Sequence, residues 1–201
     1  MIAIIDYDAG NIKSVEKAFA AIGEKTVLTR DEKLIREADK VVLPGVGVFG
    51  DAIARIRDYG LEGVIKETAD SDKPFLAICV GLQLLFEESE ESSGTKGLEI
   101  LKGKIIKIPQ DGGLTVPQIG WNSLHKTRES KLLHGIDEGA FVYFVHSYYL
   151  KAEDEDVVIA STDYGVNIHA AVEKDNVYAT QFHPEKSSKT GLRILKNFCE
   201  L

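Results

Sequence analysis

Short apolar runs alternate with helical periodicities through the first 86 residues, and few architectures accept that alternation. Ile2–Asp6 reads as a buried strand. Asn11 follows, then Ile12, Val15, Phe19 and Ile22 at helical spacing, with Gly23 as a stop. Thr26–Thr29 and Lys40–Leu43 are further predicted strands, and Ile53 and Ile56 mark another helical face. Pro74–Ile78 is a strand and Leu82–Phe86 opens a helix. Such runs need cover on both faces of a parallel sheet. The second half is richer in β-branched and aromatic stretches: Ile100–Ile108, Phe141–Tyr149, Val157–Ser161, Asn167–Val172 and Val177–Gln181. Turn signals at Asp111-Gly112-Gly113 and Asp163-Tyr164-Gly165 punctuate them. Leu192, Leu195, Phe198 and Leu201 fit a closing amphipathic helix. The predicted fold class is α/β: a three-layer, mostly parallel sheet flanked by helices, with additional antiparallel strands.

Composition narrows the function classes. A chain of 201 residues without repeat, low-complexity tract or linker is expected to form a single domain over 1–201. The polar stretch 87–96 (EESEESSGTK) is read as a surface loop. A net charge of −8 with no basic run argues against nucleic acid and anionic membranes as partners. No apolar run approaches the ~18 residues of a membrane span. The opening MIAIIDYDAG has neither a cationic segment nor a small-residue cleavage site, so a signal peptide is not expected. Cys79 and Cys199 then read as free thiols in a reducing, cytoplasmic compartment.

One thiol has the setting of a nucleophile. In PFLAICVGLQLLF an apolar strand runs into Cys79 and a helix-like segment follows Gly81, the pattern of a nucleophile elbow. Ala77 and Gly81 supply the small neighbours such a turn needs, and the Val80 amide would point where an oxyanion forms. Taken alone, Cys79 reads equally as a buried core residue. Cys199 lies in the terminal helix without a glycine turn and reads as structural. In VYATQFHPE, His183 follows a strand and Glu185 lies two residues on, where it could fix the imidazole tautomer. The chain has five histidines, and His183 by itself reads as well as a surface or capping residue. Leu43-Pro44-Gly45-Val46-Gly47 could bring backbone amides close to a ligand, or form an ordinary strand-to-helix turn. No His/Cys pair has metal-ligand spacing, and no metal or cofactor is expected.

Taken together, PGVG, CVGLQ and HPE, in that order, resemble the class I, triad-type glutamine amidotransferases with their flavodoxin-like core. More narrowly, IIDYDAGNIKSV (4–15), LPGVGVFGDA (43–52), PQIGWN (117–122), YFVHSYY (143–149) and ATQFHPEKSS (179–188) are similar to the glutaminase subunits of imidazole glycerol phosphate synthase. The resemblance spans nearly the whole chain. It implies hydrolysis of the L-glutamine side-chain amide through a cysteinyl thioester. Cys79 would be the nucleophile, His183 the general base and then acid, and Glu185 its orienter. Oxyanion donors would fall on Val80 and on the Val46–Gly47 stretch. Gln83 and Glu91 match positions that contact glutamine, and Ser147 and Tyr148 the backbone beside it. The partner implied is a (βα)8-barrel cyclase in a heterodimer that receives the ammonia for histidine biosynthesis, with Asn11, Trp121, Asn122 and Lys186 at the interface. The chain has Ala77 where the family commonly has Gly, and CVGLQ where it has CLGMQ; neither change removes a reacting group. Other readings are the subunit of a different class I amidotransferase, which the GWN and FVHSYY segments disfavour, a gamma-glutamyl peptidase with the same elbow, and a silent scaffold.

Overall fold

The computed structural model describes residues 1–110 and 113–201; Asp111 and Gly112 of the expected turn lie outside the described residues. The first half winds as β1 (Ile2–Ile5), α1 (Ile12–Ala21), β2 (Thr26–Thr29), α2 (Glu32–Glu37), β3 (Lys40–Gly45), α3 (Phe49–Asp58), α4 (Glu62–Ala69), β4 (Phe75–Cys79) and α5 (Val80–Leu84). The second half adds β5 (Glu88–Ser89), β6 (Gly103–Lys107), β7 (Gln118–Ser123), β8 (His125–Lys126), β9 (Phe141–His146), β10 (Tyr148–Ala152), β11 (Val158–Asp163), β12 (Asn167–Lys174), β13 (Val177–Thr180) and α6 (Ser188–Cys199).

The main sheet runs β2-β1-β3-β4-β13-β12-β10-β6-β5, with β11 pairing β12 and β8. From β2 to β13 every pairing is parallel. Beyond β13 the sheet turns antiparallel through β12, β10 and β6. β1 and β4 are buried along their whole length, which explains their continuous apolar sequence. Right-handed crossovers put α1, which leads from β1 out to β2, on the opposite face from α2, α3 and α4, which lead back across the sheet. In keeping with this, α1 packs on α6, and α2 on α4. The result is the expected α/β sandwich, with the parallel half in layers and the antiparallel half as an extension.

Three local readings differ from the sequence expectation. Phe141–Tyr149 is not one strand. It breaks at Ser147, so that β9 pairs with β7 in a separate two-stranded ribbon while β10 joins the main sheet. Helices α2 and α4 were not expected. Asp31 caps α2 by accepting from the Lys33 amide at 2.8 Å, and α4 buries Val64, Ile65, Thr68 and Ala69 along one stripe. The 87–96 stretch is more than a surface loop. It holds β5 and a 3₁₀ turn over Glu90–Ser92, and ties down the start of α3 through Glu91 Oε2 to the Phe49 amide (2.8 Å) and Ser92 Oγ to the Gly50 amide (3.0 Å). No helix among the described residues is long and apolar enough to cross a membrane.

Candidate active site

In open parallel sheets, ligands bind beyond the carboxyl ends of the strands. Here β3, β4 and β13 are adjacent, and PGVG, Cys79 and His183 lie at or just beyond their three carboxyl ends. The polypeptide register brings together stretches more than a hundred residues apart in sequence.

Cys79 ends β4 at φ 57° and ψ −113°, a conformation an L-residue adopts only under constraint. The constraint is backbone packing. A Cβ on Gly81 would stand 2.2 Å from the Leu43 carbonyl oxygen, and one on Gly45 would stand 2.4 Å from the Gly81 nitrogen. The start of α5 therefore lies directly on the end of β3, and only glycine fits at either position. As the first residue of α5, Val80 has an N–H with no partner inside the helix. With only Val80–Leu84 in α5, this local amide matters more than any macrodipole.

His183 and Glu185 flank Pro184, which opens a 3₁₀ turn. The Glu185 carboxylate accepts from His183 Nδ1 at 2.7 Å, with side-chain exposures of 1% and 2%. That bond leaves Nε2 as the free ring nitrogen, and Nε2 is buried without a hydrogen bond. Nε2 and the Cys79 sulfur line the same cavity. Burial lowers the proton affinity of His183, but the Cys79 sulfur and the Glu185 carboxylate outweigh it and raise the imidazole above its ordinary range. Asn11 adds a second donor to Glu185 Oε1, from Nδ2 at 3.3 Å.

A cavity of about 270 Å³ connects the remaining candidates. Val46, Gly47, Cys79, Val80, Gln83, Glu91, Val145, His146, Ser147, Tyr148, His183 and Lys186 line it. Cys79, His183, both oxyanion stretches and the four proposed glutamine-contact positions thus share one space, with Glu185 bonded behind His183. A larger, more open groove of about 580 Å³, between Glu129 and Leu201, contains none of them. Gly47, at φ 93°, sits exposed at the rim. Gln83 is fixed at the back: its Nε2 donates to the Tyr148 carbonyl (3.0 Å) and to Gln181 Oε1 (3.1 Å). Both amide hydrogens are engaged, so Gln83 can offer a ligand only its carbonyl oxygen.

The interface candidates divide. Trp121 lies on the outer face of the β7–β9 ribbon, edge-on to Tyr143 at 6.0 Å. Lys186 Nζ is 6.0 Å from the same tyrosine ring, and Asn11 and Lys186 are exposed beside the triad. Asn122 points to the opposite face and donates its amide to the Asp163 carbonyl at 2.8 Å. Two buried polar residues escaped the sequence reading. His146, neighbour to Phe144, donates Nδ1 to the Tyr148 carbonyl at 2.9 Å while its Nε2 pairs with the Gln118 side-chain amide at 3.0 Å. Gln181 lies beside the sulfur. The only sequence signal for either was a polar residue inside an otherwise apolar strand end. Among the described residues no His/Cys/Asp/Glu group has the makings of a metal site.

The site can support attack by a thiol, proton relay by a carboxylate-oriented imidazole, and anion stabilisation by backbone amides. The glutamine amidotransferase class-I family model matches residues 3–201. The imidazole glycerol phosphate synthase subunit HisH of Aquifex aeolicus (strain VF5) is 51% identical over 97% of this chain and 94% of its own. The subunit of the same name from Methanothermobacter thermautotrophicus is 49% identical over 100% of this chain and 98% of its own. A crystal structure of a glutamine amidotransferase has the same fold, with a TM-score of 0.77 at 18% identity, covering 100% of this chain and 98% of that one. The chain belongs to the class I glutamine amidotransferases and, within them, to the family of the imidazole glycerol phosphate synthase subunit HisH.

Proposed function

We propose that the chain, acting as one domain over 1–201, hydrolyses the side-chain amide of L-glutamine and hands the ammonia to a cyclase subunit that forms imidazole glycerol phosphate and aminoimidazole carboxamide ribonucleotide. The observation that carries this reading is the shared cavity of Cys79, His183, Val80 and the Val46–Gly47 rim, with Glu185 bonded behind His183.

Cys79 Sγ, its proton passed to His183 Nε2, attacks the amide carbon. The carbonyl π pair moves to oxygen, and the Val80 amide with a Val46–Gly47 amide holds that oxyanion; one such donor is worth about 3 kcal/mol. As the pair returns, the C–N bond breaks and His183 protonates the departing nitrogen, leaving a γ-glutamyl thioester and ammonia. Water then attacks the thioester carbon and gives its proton to His183. The C–S bond breaks, the sulfur recovers a proton, and glutamate leaves. Gln83 accepts from the substrate, and the acidic Glu91 with the Ser147–Tyr148 backbone receives its amino-acid end. No cofactor enters these steps.

The partner we infer is a (βα)8-barrel cyclase bound as a heterodimer in the cytoplasm, docking on the ribbon face around Trp121 and on the rim at Asn11 and Lys186, with Asn122 bracing the ribbon from behind. Ile119, Trp121 and Phe141 are 62%, 50% and 58% exposed on that face, unusual for such side chains. Ammonia release should be measured with and without the cyclase, for wild type and Cys79→Ala. A large gain with the cyclase, lost in the alanine variant, supports the reading; equal rates with and without it would refute ammonia delivery to that partner. Complementation of a histidine-requiring strain separates this subunit from its anthranilate and guanylate counterparts.

A further inference from the structure

Gln181 is fully buried, and none of the catalytic steps above uses it. In the parallel pairing of β13 with β4, Ala179 faces Ala77 and Thr180 faces Ile78. One residue further, Gln181 comes level with Cys79. Its backbone N–H donates to the Ala170 carbonyl at 2.8 Å, which anchors the residue to β12. Its Nε2 then donates to Cys79 Sγ at 3.8 Å, and its Oε1 accepts from Gln83 Nε2 at 3.1 Å.

We propose that Gln181 is a positioning residue for glutamine hydrolysis: its amide N–H steadies the sulfur when it is anionic, and its amide oxygen locks Gln83 so that only the Gln83 carbonyl faces the substrate. The inference rests on the reading of Cys79 as nucleophile. A neutral thiol sulfur is a weak acceptor, so the buried donor is poorly satisfied while Cys79 is protonated. A thiolate is a strong acceptor, and a charge-assisted bond forms as the proton leaves. The donor therefore favours the thiolate over the neutral thiol and raises the fraction of Cys79 present as the nucleophile. A thioester sulfur is again a weak acceptor, so the same N–H favours the sulfur's departure when water breaks the C–S bond. A glutamine kept only for packing would have no reason to aim its donor at the sulfur, because burying an amide without a good partner is unfavourable.

The two halves of the role separate by substitution. Gln181→Glu keeps an oxygen for Gln83 but replaces the donor with an anion facing the sulfur. Gln181→Leu removes both, and Gln181→Met does so with a more adaptable side chain if the leucine variant folds poorly. The full chain is assayed with its cyclase. Alkylation of Cys79 by iodoacetamide at pH 7 is followed by mass spectrometry alongside kcat and KM for glutamine. In Gln181→Glu, alkylation and kcat are expected to fall about tenfold or more, with KM changing less than about threefold. In Gln181→Leu or Gln181→Met, alkylation falls similarly and KM rises as well. A leucine or methionine variant that melts near wild type, yet alkylates and turns over at wild-type rates, overturns the proposal. Labelling of wild-type Cys79 by a glutamine-derived diazoketone is the control. If it fails, the nucleophile reading falls and this one with it; if it succeeds, a wild-type-like variant rejects Gln181 alone.

Discussion

Glu185 and His183 form the most consequential pair in the molecule, because the bond to Nδ1 decides which ring nitrogen can face the sulfur. Glu185→Gln keeps the shape but can present its amide N–H to Nδ1 and select the wrong tautomer. A loss of kcat on the order of 10³–10⁴-fold is expected, by analogy with the same change in a serine triad; a variant within tenfold of wild type would remove Glu185 from the relay. The same pair sets a pH dependence. Burial depresses His183, but Cys79 and Glu185 raise it above the ordinary 6.5, so the folded state holds this proton more tightly than the unfolded chain. Its stabilising contribution is complete below pH 6.5 and is lost as pH rises through the elevated folded value. His146 works in the other direction. Burial pushes it down to about 4, against the opposing bond to the Tyr148 carbonyl, so its contribution is present above pH 6.5 and lost as pH falls towards 4. Melting temperature followed from pH 4 to 10 should therefore decline on both sides, with Glu185→Gln flattening only the alkaline limb. At this scale Cys79, His183 and Glu185 were legible because each sits in a short motif. Gln181 and His146 were not, because what marks them is strand register and burial, which a single line of sequence does not display.

At the scale of elements, the elbow is held by glycines in direct contact with backbone. Gly81→Ala and Gly45→Ala each drive a Cβ into main-chain atoms that cannot move aside, at 2.2 Å and 2.4 Å. Overpacking of this kind costs about 1–3 kcal/mol, and here it also displaces the Val80 amide. Both variants are expected to melt lower and lose activity disproportionately. Gly63, exposed in α4 with nothing within 4 Å of an added Cβ, is the contrast. Gly63→Ala should gain up to about 1 kcal/mol with no change in rate. Urea unfolding of the three variants tests both directions; a neutral Gly81→Ala would mean that the elbow relaxes. The parallel strands were readable because burial on both faces leaves uninterrupted apolar runs. The break at Ser147 was not, since β9 and β10 are both rich in aromatic and β-branched residues and differ only in which sheet they join. Helix α4 did carry a readable stripe at Val64, Ile65, Thr68 and Ala69, broken up by the polar residues between them.

For the whole molecule, the arrangement of apolar surface is the informative feature. On the β7–β9 ribbon, Val142, Phe144 and His146 point into the protein, while Phe141, Tyr143 and Val145 alternate to the outside opposite Ser123, Trp121 and Ile119. The ribbon thus builds one face for the core and leaves the other unpartnered, and Lys186 next to Tyr143 links that face to the cavity rim. A subunit seated there would cover the apolar strip and close over the site in one contact, keeping ammonia from escaping into bulk water. Trp121, a large aromatic at the centre of the strip, has the properties of an anchor, and truncating such a residue costs about 2 kcal/mol or more, or about 30-fold in affinity. Trp121→Ala is therefore expected to weaken cyclase binding by at least that factor in titration calorimetry. Partner-stimulated ammonia release should fall with it at subsaturating cyclase and recover at high concentration. The isolated variant should melt with the wild type, because half of the Trp121 surface is already in water. Unchanged affinity together with a lowered melting temperature would mean that Trp121 supports the ribbon itself, and would move the docking surface elsewhere.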